Sequence, residues 1–264
     1  LRAGWHRLGD ARGRAAAVTV RSPVPLVGDL EIVLTPPAYS RRPPLHLPST
    51  AGDFRALAGT RAQLTTRPID PEATLSIVVE RDGAEPVEVP MAAAGADLPA
   101  GLVVGELIVA GAARYRFQAA RPDGRRTIEA VAHVIELEPD QPPTVELYAP
   151  GDDLDVTDMK RVELAYVVED DFGIGKVELV WEVDGKAERK ALATLPAAPG
   201  RAQAKVVWDL AEVVLPPGAR VTYRIEALDN DTVDGPNVGR SRELRLRVFS
   251  PRERMIAWRY LKPR

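Results

Sequence analysis

The sequence predicts an all-β chain folded as two tandem β-sandwiches with short helical or irregular ends. Three observations carry this. Apolar residues alternate with polar ones in short runs. Val221, Tyr223, Ile225 and Ala227 fall on one face and Thr222, Arg224 and Glu226 on the other, the period of half-buried antiparallel strands. Turn signals recur at roughly eight- to twelve-residue spacing, the rhythm of a sandwich or barrel. The second half also repeats the first. Val78-Val79-Glu80-Arg81-Asp82-Gly83 matches Val180-Trp181-Glu182-Val183-Asp184-Gly185 at an offset of 102, and Tyr115-Arg116-Phe117-Gln118-Ala119 matches Tyr223-Arg224-Ile225-Glu226-Ala227 at 108. Two matches in one order predict two copies of one domain of the immunoglobulin or fibronectin-III kind. Trp181 falls where such a domain carries its core aromatic. The first copy has Val79 there, which predicts a looser core.

The composition agrees. A chain of 264 residues has room for two ordinary domains, and 45% apolar residues give each half a core. A net charge of −3 argues against a nucleic-acid partner. The charge is uneven: residues 1–14 carry +3 and residues 251–264 carry +4, which leaves −10 between them. The absence of Cys excludes disulfides, Cys nucleophiles and Cys-ligated zinc, without fixing the compartment. No run of 18 apolar residues occurs, and no signal peptide is recognisable. The chain opens on Leu and closes within a helix-like segment, so it is expected to be a fragment of a longer protein.

Residues 1–16 and 251–264 lack strand alternation and read as basic connecting segments, the second with a helical apolar surface from Met255 to Leu261. The first sandwich is placed at residues 17–138. Leu30, Ile32 and Leu34 mark its first strand, and Pro36 to Pro44 its irregular, Pro-rich leading edge. Strands follow at 61–66, 74–80, 86–91, 102–109, 114–120 and 127–136, with turns at Asp82-Gly83 and Pro122-Asp123-Gly124. Glu138-Pro139-Asp140-Gln141-Pro142-Pro143 is a stiff connector. The second sandwich, 139–250, has strands at 144–148, 162–168, 177–183, 186–192 and 204–210, and then a closing hairpin whose last strand holds Leu244, Leu246 and Val248.

The richest polar constellation is in the second copy. Asp170 and Asp171 end one strand, and Asp229, Asn230, Asp231 and Asp234 lie in the loop after another. These strands belong to opposite sheets, and their ends can meet at one pole. Two readings of the six residues stay open. Asp and Asn cap turns through their own backbone. Clustered oxygens also suit calcium, though no EF-hand spacing is present. Asp152-Asp153-Leu154-Asp155 reads as a further acidic loop. His6, His46 and His133 are scattered, and no G-x-S-x-G, H-E-x-x-H or phosphate loop occurs, so no enzyme is expected.

Asp170-Asp171-Phe172-Gly173-Ile174, the run from Tyr223 to Asp231, Gly235-Pro236-Asn237 and Val248-Phe249-Ser250-Pro251 resemble the bacterial domain-of-unknown-function family numbered 4175. The likeness is specific over residues 140–255 and weaker over 17–138, where Pro36-Pro37-Ala38-Tyr39-Ser40 is the main echo. It implies a periplasmic or extracytoplasmic setting, with an inner-membrane anchor outside these residues and envelope proteins as partners. It supplies no catalytic residues and no cofactor. The expectation is a non-catalytic spacer and protein–protein interaction module. The alternative is a calcium-dependent or carbohydrate-binding accessory module.

Overall fold

The computed structural model describes residues 19–249 apart from 97, 157–159, 214 and 217. The connecting segments expected at 1–16 and 251–264 lie outside the described residues. The chain forms two compact units. One comprises the residues up to Ala38 together with Arg42–Pro139; the other comprises Tyr39–Arg41 and the residues from Asp140 onward.

The first unit runs through β1 (Thr19–Ser22), β2 (Val27–Thr35), β3 (Leu45–Leu47), β4 (Phe54–Leu57), β5 (Arg61–Pro68), β6 (Thr74–Glu80), β7 (Val87–Pro90), β8 (Ala92–Ala93), β9 (Val103–Ile108), β10 (Ala113–Ala120), β11 (Arg126–Glu129) and β12 (His133–Glu138). One sheet has the order β3-β2-β5-β9-β8. In the other, β10 pairs with β6, β11 and β12, with β7 outside β6, β1 on β11 and β4 on β12. Strict alternation places Ala62, Leu64 and Thr66 of β5 inward while Arg61 and Gln63 face water. They meet Ile32, Ile77, Tyr115 and Phe117, each fully buried. The Tyr115 hydroxyl donates to the Gly52 carbonyl at 2.6 Å.

The single strand expected at 127–136 is two. Glu129, only 5% exposed, ends β11. Its carboxylate accepts from the amides of Leu26 at 2.9 Å and Phe117 at 3.3 Å, replacing ladder partners. The Ala130 amide turns to Ser22 of the parallel strand β1. Two amides and the adjacent His133 ring hold the Glu129 carboxyl below its usual range against the opposing cost of burial.

The second unit contains β13 (Thr144–Ala149), β14 (Leu154–Val156), β15 (Arg161–Glu169), β16 (Ile174–Val183), β17 (Lys186–Thr194), β18 (Arg201–Asp209), β19 (Arg220–Asp229), β20 (Val238–Arg240) and β21 (Leu244–Val248). Its sheets are β13-β15-β18 and β14-β21-β19-β16-β17, with β20 also on β19. This is the order of the first unit again: β2-β5-β9 faces β4-β12-β10-β6-β7. Each unit is therefore the same β-sandwich of immunoglobulin/fibronectin-III type, in which the fourth strand joins the third rather than the fifth. Asp152-Asp153-Leu154-Asp155 is not a free acidic loop. Leu154–Val156 pairs in parallel with β21, and Arg247 meets Asp155 at 3.0 Å.

Asp184 and Gly185, with φ of 50° and 77°, form the two-residue turn joining Val183 to Lys186. The core packs Trp208 between Trp181 and Tyr223, with ring centroids 5.6 and 5.3 Å apart. Central strands β16 and β19 are buried on their outer face too, which interrupts the alternation. Glu226, 1% exposed there, is ringed by Arg189 at 2.7 Å, Arg224 at 2.7 Å and Arg240 at 3.1 Å. Burial opposes its charge, but the three guanidiniums hold the carboxyl below its ordinary range.

Candidate functional site: the acidic pole of the second sandwich

Strand β15 ends at Glu169 and β19 at Asp229, in opposite sheets, and the loops that follow meet at one pole. The first loop is a tight Asx turn. Asp170 Oδ2 accepts from the amides of Phe172 at 3.0 Å and Gly173 at 2.6 Å. Gly173 has φ of +135°, and a Cβ there would stand 2.3 Å from the Ala198 carbonyl oxygen. Only glycine fits that approach.

The second loop is organised by Asp229, 4% exposed. Its Oδ1 accepts from the amides of Asp231 at 2.9 Å and Asn237 at 3.0 Å, and its Oδ2 from the Asn237 side chain at 2.8 Å. Asp231 Oδ1 accepts from the Val233 amide at 2.7 Å. Asn230 ties the loops together. Its Nδ2 donates to the carbonyl oxygens of Phe172 at 3.3 Å and Tyr39 at 3.0 Å. The Tyr39 ring stands edge-on to Phe172 with centroids 6.0 Å apart. Arg41 donates to the Ala197 carbonyl at 2.6 Å.

Four of the six sequence-predicted residues, Asp170, Asp229, Asn230 and Asp231, thus form the base of the pole, each with at least one polar atom bonded to the loops. Asp171 and Asp234 are exposed at its surface. Two members were missed. The sequence places Tyr39 in a Pro-rich edge and Asp140 in a connector. The Pro36-to-Ser40 stretch was the signal for the first; nothing marked the second.

The pole is rich in acceptors and poor in donors. Both oxygens of Asp140, Oδ1 of Asp170 and Oδ1 of Asn230 are buried without a hydrogen-bond partner. The nearby Tyr39 hydroxyl favours the ionised form of Asp140. Burial, with Asp229, Asp171 and Asp170 nearby, pushes the Asp140 carboxyl up to about 6. Asp170 is raised, chiefly by burial, and Tyr39 is raised by burial and then by Asp140. These donor-poor oxygens are what remains of the calcium reading. Among the described residues, no group of three or more His, Asp or Glu is arranged to hold a metal ion. Of the His, His46 pairs with Glu31 at 3.5 Å and His133 stacks on Tyr115 with centroids 4.9 Å apart; His6 lies outside the described residues.

The two strand orders define a tandem β-sandwich protein. The family model described as "Domain of unknown function (DUF4175)" matches residues 9–251, and the chain belongs to that family. Among solved structures, the fibronectin(III)-like modules of Clostridium thermocellum CbhA share 17% identity, covering 76% of this chain and 91% of that chain at a TM-score of 0.26. The fold assignment rests on the strand order above. Among curated proteins none matches the chain.

Proposed function

We propose that this chain is the non-catalytic, extracytoplasmic part of a membrane-anchored bacterial envelope protein. It serves as a spacer and as a protein–protein interaction module through the acidic pole of its second sandwich. One observation carries the reading. Asp229, Asn230 and Asp170 lock two loops together, and that base holds Asp171 and Asp234 out in solvent. Exposed charged loop residues on a rigid scaffold are a common means of recognition. The inner carboxylates are engaged by backbone amides, so the outer pair reads the partner. Its charge selects a basic surface, and such contacts weaken in salt. The setting follows from the family resemblance, and a tandem pair of sandwiches suits a spacer.

The test uses the full chain as bait against envelope extract, beside the Asp171→Asn/Asp234→Asn double variant. The wild type should retain an envelope protein that moderate salt releases, and the variant should lose it with an unchanged far-UV spectrum. If the wild type retains nothing, or the variant retains the same protein, the interaction role is wrong. Protease added to spheroplasts should cleave the chain; full protection would refute the extracytoplasmic setting.

A further inference from the structure

The central strand pairings of the two sandwiches agree in register, and the equivalences they set expose a difference in the core. Val79 pairs with Tyr115 as Trp181 pairs with Tyr223. Leu107 pairs with Ala62 as Trp208 pairs with Val162. The strand end agrees as well: the Val109 amide donates to the Thr60 carbonyl as the Leu210 amide donates to that of Lys160. The first sandwich therefore has Val and Leu at the two positions where the second has Trp. Between them lies a half-open cavity of about 250 Å³, lined by Val79, Leu107, Val109 and Ile135 among others.

The mouth of the cavity differs in the same sense. Val87 and Ile108 line it and are 48% and 52% exposed. The same registers place Glu188 and Asp209 at these positions in the second sandwich. Val89 and Gly111 also line it. By the same registers Lys190 is the counterpart of Val89, and in the second sandwich it pairs with Glu212 at 2.8 Å. Arg81 and Glu106 keep charge in the lining, and beside them Val87, Val89 and Ile108 replace the charged residues of the second sandwich, which gives the mouth an apolar side.

We infer that the first sandwich carries a binding cavity for a small planar aromatic molecule of about one indole's size, seated where the second sandwich is filled by its own tryptophans. The volume is sufficient, since an apolar cavity of about 150 Å³ in another protein holds benzene. Arg81 also lines the cavity and can lie over an aromatic face. The site is distinct from the acidic pole, so the two proposals stand or fall separately.

The test is a titration of the full chain with indole, followed by a calorimetric melt and by amide shifts at Val79, Leu107 and Ile135. At indole ten times its Kd, the melting of the first sandwich should rise by roughly 5 °C. Val79→Trp supplies the ring covalently and should weaken indole binding at least tenfold. Leu107→Trp is read in its place if that variant does not fold. The inference is overturned if no saturable shift occurs up to the solubility of indole. It is equally overturned if the shifts lie elsewhere, or if a folded filled variant binds as tightly as the wild type.

Discussion

Both carboxylate oxygens of Asp140 are buried without a close hydrogen-bond partner, and three other aspartates add repulsion that the Tyr39 hydroxyl only partly offsets. Its carboxyl titrates near 6 in the folded chain, above the ordinary value it has when unfolded. The sign follows from linkage: above pH 6 the ionised group destabilises the fold, and as the pH falls toward 4 the folded state takes up a proton that the unfolded state does not yet hold. Asp140→Asn should therefore stabilise at pH 7.5, by about 1 kcal/mol after allowance for solvent screening of a partly exposed group. The gain should shrink through pH 6 and vanish near pH 4. Calorimetric melts at both pH values check this, and equal melting temperatures at pH 7.5 would contradict it. At this scale the sequence is a partial guide. Asp229 to Asn237 announces itself by density of Asp, Asn and Gly. Tyr39 is 191 positions from the Asn230 that holds it, and no local pattern records that contact.

Strands of five or more residues with one buried face were legible, because alternation and flanking turns both mark them. Strands β4 and β14 were not. Each is three or four residues long and pairs in parallel with the last strand of its sandwich, so it carries too few positions to show a period. The break between β11 and β12 was hidden for another reason. A carboxylate takes over a ladder position there, and Ser241 does the same in the second sandwich by accepting from the Ile225 amide at 3.0 Å. Strand β20 shows how tightly such short elements are seated. A Cβ on Gly239 would lie 1.8 Å from the Pro143 carbonyl oxygen. Gly239→Ala must force that backbone apart and should cost about 3 kcal/mol. Gly28→Ala is the control, since nothing lies within 4 Å of a Cβ there. Urea unfolding of the two variants should separate them clearly; identical midpoints would refute this seating of β20.

For the whole chain, the duplication was readable because offsets of 102 and 108 preserve the residues at the centre of each sandwich. The exchange of Trp181 for Val79 was readable too, and so was the looser core it implies. Its partner exchange, Trp208 for Leu107, was not, since β9 and β18 share no sequence match and only their registers equate them. The loops at the matching end of the first copy are tied differently. Asp70 accepts from the Glu72 amide at 3.2 Å and from Arg121 at 2.5 Å, and Asp123 accepts from the Arg125 amide at 3.0 Å, so an exposed Arg–Asp pair stands where the second copy has its buried Asp and Asn cluster. The copies thus share a frame and differ in what they present: one an open core, the other a charged loop cluster. That division rests on Val79 and Trp181 occupying the same place. Nuclear Overhauser contacts across the central strand pairs of the full chain test it most directly. The account predicts contacts of Val79 with Tyr115 and of Trp181 with Tyr223, both in register. A shift of either pair by one residue would turn its side chains to the opposite face and contradict the equivalence of the two sandwiches.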